Sequence, residues 1–291
     1  MERFLRILKC FLPMIAALIC QIVVSFSSSF LYGLILAIKR VIAENSGGPV
    51  GGVYLTGNIS NGDLVLIITA VATSATLLMG ILWYRSYKPT KELGLKEVVN
   101  LKLLIAMFGL GLALQLLISM CLSAIYPILP QDLVYQYSEL MTSLLGGNVW
   151  LSLLATVILA PLAEEFLFRG VTMRMAQQVM PFMMANLLQA VLFGIYHLNL
   201  IQGVYAFVLG IILGFTAEYF HSIWASVLLH AFVNGSAELV NLVPESVTGT
   251  YVGVIGIAIV GVVLLFASAK LYPQARIMRQ EVQAEENEMF R

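Results

Sequence analysis

Three groups of ionisable and amide side chains stand in the second half of the chain, where almost everything around them is apolar. Glu164-Glu165-Phe166-Leu167-Phe168-Arg169 sets two adjacent carboxylates beside a guanidinium. Phe193-Gly194-Ile195-Tyr196-His197 closes an apolar run on an imidazole, and His230-Ala231-Phe232-Val233-Asn234 places an imidazole and an amide four residues apart. On a helix, Glu165 and Arg169 share a face and can pair. Glu164 is turned by about 100° from Glu165 and stays free of that pairing, so the two acids have different jobs available. A carboxylate in an apolar cavity becomes a stronger base by desolvation, and His or Asn can donate to developing negative charge. That chemistry needs no Ser or Cys nucleophile. The bland reading of the same residues is that the charges snorkel from a span end, and that Ser226, His230, Asn234 and Asn241 form a polar stripe holding helices together.

The elements that must position these groups are membrane spans. Of the 291 residues, 60% are hydrophobic and 11% charged, against about 25% charged in a soluble domain. Lys and Arg total 16 and Asp and Glu total 16, so there is no basic face for nucleic acid. Cys10, Cys20 and Cys121 are far apart and form no metal or disulfide pattern. About 20 apolar residues cross the bilayer core as a helix. That length predicts an all-α polytopic bundle of about eight transmembrane helices at roughly 11–38, 63–84, 102–126, 149–172, 182–199, 202–220, 223–243 and 250–270. The uncharged run 10–38 is too long for a signal-peptide core. Segments 44–62 and 127–148 read as the longer loops, 271–291 as a short tail, and the whole of 1–291 as a single integral membrane domain. With both termini cytoplasmic, 14 of the 16 Lys and Arg fall inside, only Lys39 and Arg40 fall outside, and the bias stands without Arg169.

These elements can bring the groups together. If spans four and five form an antiparallel hairpin turning near Pro181, positions whose numbers sum to about 361 lie level, which puts Glu164 and His197 at one height. Both come out roughly 12–15 Å below the cytoplasmic face, with His230 roughly 12 Å deep on span seven. The fifth span then crosses only part of the bilayer, and Asn186 and Gln189 fall near its cytoplasmic end. Ionisable groups at such depth are costly and mark a functional site.

The motifs EExxxR, FxxxH and HxxxN, in this order over about 149–241, resemble those of the CAAX protease and bacteriocin-processing family, related to the type II CAAX prenyl endopeptidases. The resemblance implies an eight-helix intramembrane protease, open toward the cytoplasm, in the plasma membrane of a prokaryote. By the same resemblance, Glu164 acts with His197 on water, His230 and Asn234 stabilise the oxyanion, and Glu165 and Arg169 support them. It also raises zinc on Glu164, His197 and His230 with water as fourth ligand. There is no HExxH pair, and metal-free catalysis is the favoured expectation. His221 falls outside the motifs and is expected at an interface. The implied partners are membrane lipid and a membrane-anchored or prenylated peptide or protein substrate, with no nucleic acid. A transporter would carry an internal repeat, and the sequence has none. A non-catalytic scaffold or bacteriocin immunity protein is the other alternative.

The charge asymmetry makes a topological prediction. Single-cysteine variants within 85–102 and 271–291 should react with an impermeant thiol reagent only from the cytoplasm, and those within 41–62 and 127–148 only from the other side. A position near 90 that labels only from outside would refute this orientation.

Overall fold

The computed structural model describes residues 2–45, 60–88, 92–99 and 101–241, with positions 256 and 259. Among the described residues there are helices and no strand. The principal helices are α1 (Glu2–Lys9), α2 (Leu12–Asn45), α3 (Asn61–Tyr84), α4 (Leu95–Val98), α5 (Leu101–Ile125), α6 (Gln131–Leu145), α7 (Val149–Gln177), α8 (Phe182–Tyr196), α9 (Leu200–Tyr219) and α10 (Ile223–Asn241). Six are long and apolar enough to cross a membrane: α1–α2 as one, α3, α5, α7, α9 and α10. The protein is an all-α polytopic integral membrane protein. At 15 residues, α8 rises about 22 Å, short of the roughly 30 Å hydrocarbon core, in keeping with a partial crossing. The expected eighth span, 250–270, lies outside the described residues but for positions 256 and 259.

One expectation is corrected. The stretch 127–148, read as a loop, contains α6. Its Leu133, Val134, Tyr137, Leu140, Met141 and Leu144 are half-buried, while Asp132, Tyr135, Gln136, Ser138 and Glu139 are exposed. That spacing is an amphipathic helix lying on other helices. The bounding Pro127, Pro130, Gly146 and Gly147 gave it the look of a loop.

Two features of α7 to α10 position the motifs. First, α7 is not uniformly α-helical, since Leu153–Leu159 and Phe166–Met173 adopt π geometry, which changes the faces that later side chains present. Second, α8 and α9 form a close antiparallel hairpin. A Cβ at Gly194 would lie 2.7 Å from the Gly203 carbonyl, and one at Gly203 would lie 2.8 Å from the Gly194 carbonyl. Small residues are what let helix backbones approach so far in a membrane. Further along the seam, the Asn186 amide donates to Ile211 O at 3.1 Å, and Gln189 Nε2 donates to Gly210 O at 2.9 Å. Both amides are buried and serve the α9 backbone.

Each end of this bundle is tied separately. At the Arg174 end, Glu92 accepts from Arg174 Nη2 at 2.7 Å and Nη1 at 3.2 Å, from the Tyr84 hydroxyl, and from the Ile223 backbone N–H at 3.0 Å. One carboxylate thereby joins α3, α7 and the first turn of α10, where the helix dipole favours an anion. At the α6 end, Asp63 Oδ1 accepts from the Asn148 N–H at 2.6 Å. The Ser152 hydroxyl there meets Leu144 O at 2.8 Å and Glu238 Oε1 at 2.5 Å.

The seam predicts a contrast between two glycines. A Cβ at Gly214 would collide with Asn186 Oδ1, whereas one at Gly33 meets nothing within 4 Å. Gly214→Ala should destabilise the purified protein by about 1–3 kcal/mol, read as a lower melting temperature in detergent. Gly33→Ala should leave the melt unchanged or raise it.

Candidate active site

The centre of the site is one carboxylate oxygen. Glu165 Oε1 accepts from Arg169 Nη1 at 2.7 Å and lies 2.8 Å from His230 Nδ1. Glu165 and Arg169 are fully buried, and His230 is 3% exposed. The helical spacing accounts for the Glu165–Arg169 contact, but nothing in the sequence pairs His230 with the same oxygen. Arg169 is held from two further sides: Nη2 donates to Gly210 O at 3.1 Å, and its guanidinium carbon stands 4.6 Å from the centre of the Phe193 ring. Gly210 O also takes the Gln189 donor, so α7, α8, α9 and α10 all meet through this arginine and its partner.

Glu164 sits differently. Its side chain is 14% exposed, and its Oε2 lies 3.7 Å from His230 Nε2. Glu165 is thus the acid paired with Arg169, and Glu164 faces His230 outside that pair. His197 caps α8 and keeps Nδ1 2.8 Å from Phe193 O. A carbonyl can only accept, so Nδ1 carries the proton there and Nε2 is left with a lone pair in the neutral ring. His197 lies within electrostatic range of Glu164, Arg169 and His230, and Phe193 stacks edge-on against both imidazoles, at 4.8 Å and 5.8 Å. The phenylalanine of FxxxH is thus the wedge between the two rings.

Asn234 has a contact that the motif does not announce. Its Nδ2 donates to Thr156 O at 2.8 Å, within the first π segment of α7. An amide nitrogen has two hydrogens, so one N–H fixes the side chain and one is left over. Ser226, from the same stripe, donates to Ile223 O at 2.9 Å. His221 lies in the α9–α10 turn with φ 47° and offers its carbonyl to the Leu93 N–H at 3.0 Å, away from the cluster.

Sequence reasoning named Asn186 and Gln189 without their role on α9, and missed Gly210 and Thr156. The legible signal was two amides three residues apart on an apolar helix, matched by glycines on the next. Among the described residues, no three His, Cys, Asp or Glu groups converge as one ion needs.

From Glu165 to Met173, every residue of α7 is buried. The partly exposed members of the cluster, Glu164, His197 and Asn234, lie on the α6 side of that stretch.

Fold and site together define a polytopic membrane protein with a carboxylate–imidazole cluster enclosed by its helices. Residues 146–236 match the family model described as type II CAAX prenyl endopeptidase Rce1-like, which is consistent with the resemblance of the three motifs to the CAAX protease and bacteriocin-processing family. No curated protein and no solved structure matches the chain.

The two acids should separate in a stability measurement. Glu165→Gln or Arg169→Ala leaves the partner buried and uncompensated, which typically costs about 3–5 kcal/mol, so both variants should melt lower or express poorly. Glu164→Gln should melt like the parent. Equal melting of all three would contradict the division.

Proposed function

We propose that the chain is an intramembrane endopeptidase that hydrolyses a peptide bond in a membrane-associated or lipidated substrate. Glu164 and His197 activate the water in this reading, and His230 and Asn234 receive the oxyanion. The observation that carries it is the fixed attitude of His230, with Nδ1 on Glu165 and Nε2 3.7 Å from Glu164. A buried ion pair that aims an imidazole at a second, partly buried carboxylate is preorganisation for chemistry.

Glu164, oriented with His197, takes a proton from water while the water oxygen bonds to the peptide carbonyl carbon. The carbonyl π electrons move onto oxygen, where Nε2 of His230 and the spare N–H of Asn234 donate to the negative charge. Donation through Nε2 requires the form of His230 protonated on both nitrogens, with Nδ1–H still on Glu165. On collapse the C–N bond breaks, and the proton held by Glu164 passes to the leaving amine. One water is consumed, giving a carboxylic acid and an amine. Every partner in this scheme is a side chain of α7, α8 or α10.

The test is turnover of a membrane-presented peptide by purified protein. Glu164→Gln should leave essentially no activity. Asn234→Ala should retain weak activity, since losing one oxyanion donor typically costs about 10²–10³ in turnover. Elemental analysis with chelation and add-back decides the metal question: stoichiometric metal whose removal and return switches activity off and on would overturn the water-only assignment.

A further inference from the structure

The Asn234 amide is anchored on a carbonyl that its own helix cannot use. An α-helix pairs each carbonyl with the N–H four residues on, and a π segment with the one five residues on. For Thr156 those donors would come from Ala160 and from position 161. The Ala160 N–H goes to Ala155 O, five residues back, in the π pattern of Leu153–Leu159. Position 161 is a buried proline, which has no N–H to give. Neither ladder partner is therefore available to Thr156 O. In a membrane a carbonyl freed in this way is satisfied by a neighbouring element, and here the donor is Asn234 Nδ2 at 2.8 Å.

The seam around this contact is fixed on both helices. Ser152 lies four residues before Thr156 on α7, Glu238 lies four residues after Asn234 on α10, and the Ser152 hydroxyl meets Glu238 Oε1 at 2.5 Å. The two contacts are successive rungs between antiparallel helices, so Asn234 is brought to Thr156 by a register that a second pair also holds. The Thr156 hydroxyl does not compete for the amide, because it donates to Ser152 O at 2.8 Å within α7.

We propose that Pro161 is a positioning residue for Asn234: by withholding an N–H from Thr156 O, it leaves that carbonyl to hold one hydrogen of the amide and so directs the other to the substrate. This rests on the endopeptidase reading above, in which the second hydrogen serves the oxyanion. It adds to the three motifs a residue whose contribution is a missing donor. A proline inside a helix ordinarily lowers its stability, and a functional site is where such a cost is retained.

The experiment uses the full chain in phospholipid nanodiscs and quenched fluorescent peptides with and without a farnesylated carboxyl-terminal CAAX sequence. It compares Pro161→Ala, which restores the N–H, with Pro161→lactic acid introduced by nonsense suppression, which has the alanine side chain but an ester oxygen in place of the N–H. Pro161→Ala should lower kcat by up to about tenfold, the equivalent of one neutral hydrogen bond. KM should change little, because the oxyanion forms only along the reaction. The same variant should melt at or above the parent, since the helix ladder regains a bond. The lactic acid variant should keep the parent's kcat. In an Asn234→Ala background, Pro161→Ala should add nothing, because its effect passes through that amide. An unchanged kcat in Pro161→Ala overturns the proposal and leaves the protease reading standing. So do equal losses in the alanine and lactic acid variants, an undiminished loss in the Asn234→Ala background, and a Pro161→Ala protein that melts lower or cannot be purified. Absence of any Glu164-dependent cleavage by the parent protein overturns the protease reading, and the proposal with it.

Discussion

A single carboxylate oxygen, Glu165 Oε1, stands between a fully buried guanidinium and a nearly buried imidazole, and the surrounding helices are arranged to make that burial tolerable. An isolated charge at such depth is costly, and an ion pair of this kind is favourable only with good geometry and further hydrogen bonds. Arg169 obtains them from the Gly210 carbonyl and the Phe193 ring. Glu165 obtains a second donor from His230, the ring that in our reading does chemistry. Structural neutralisation and positioning of His230 are therefore one interaction.

That requirement explains the amide and glycine pattern of α8 and α9. A backbone carbonyl in a helix is already occupied by its own ladder, and Gly210 O additionally receives Arg169 and Gln189. Close approach of α8 to α9 allows this, and a side chain at Gly210 would meet Ala190 and Phe193 within 3.2 Å. Asn186 holds Gln189 in place by accepting from its Nε2 at 2.7 Å. Packing and hydrogen bonding, rather than hydrophobic exclusion, hold helices together in lipid, so this seam does for the site what an apolar core does in a soluble enzyme.

The two ends of the bundle differ in a way that bears on access. Glu92 gathers Tyr84, Arg174 and the start of α10 into one closed knot, and α7 is buried from Glu165 to Met173. On the other side of Glu164 lie the less covered Asn234 and His197 and the amphipathic α6.

The sequence by itself determined the class of the protein, most of its spans, and the three motif groups, because run length and charge placement are local properties that lipid filters strongly. It also determined the pairing of Glu165 with Arg169, since four residues make one helical face, and the turn near Pro181. Only the tertiary structure decided that His230 shares Glu165, that Asn234 spends a hydrogen on Thr156, and that Asn186 and Gln189 donate to the α9 backbone. It alone turned Gln131–Leu145, within the expected loop, into helix α6. Each of these depends on the rotation and offset of one helix against another. Side-chain periodicity fixes which residues share a face, whereas the partner that face meets is chosen by packing between distant segments.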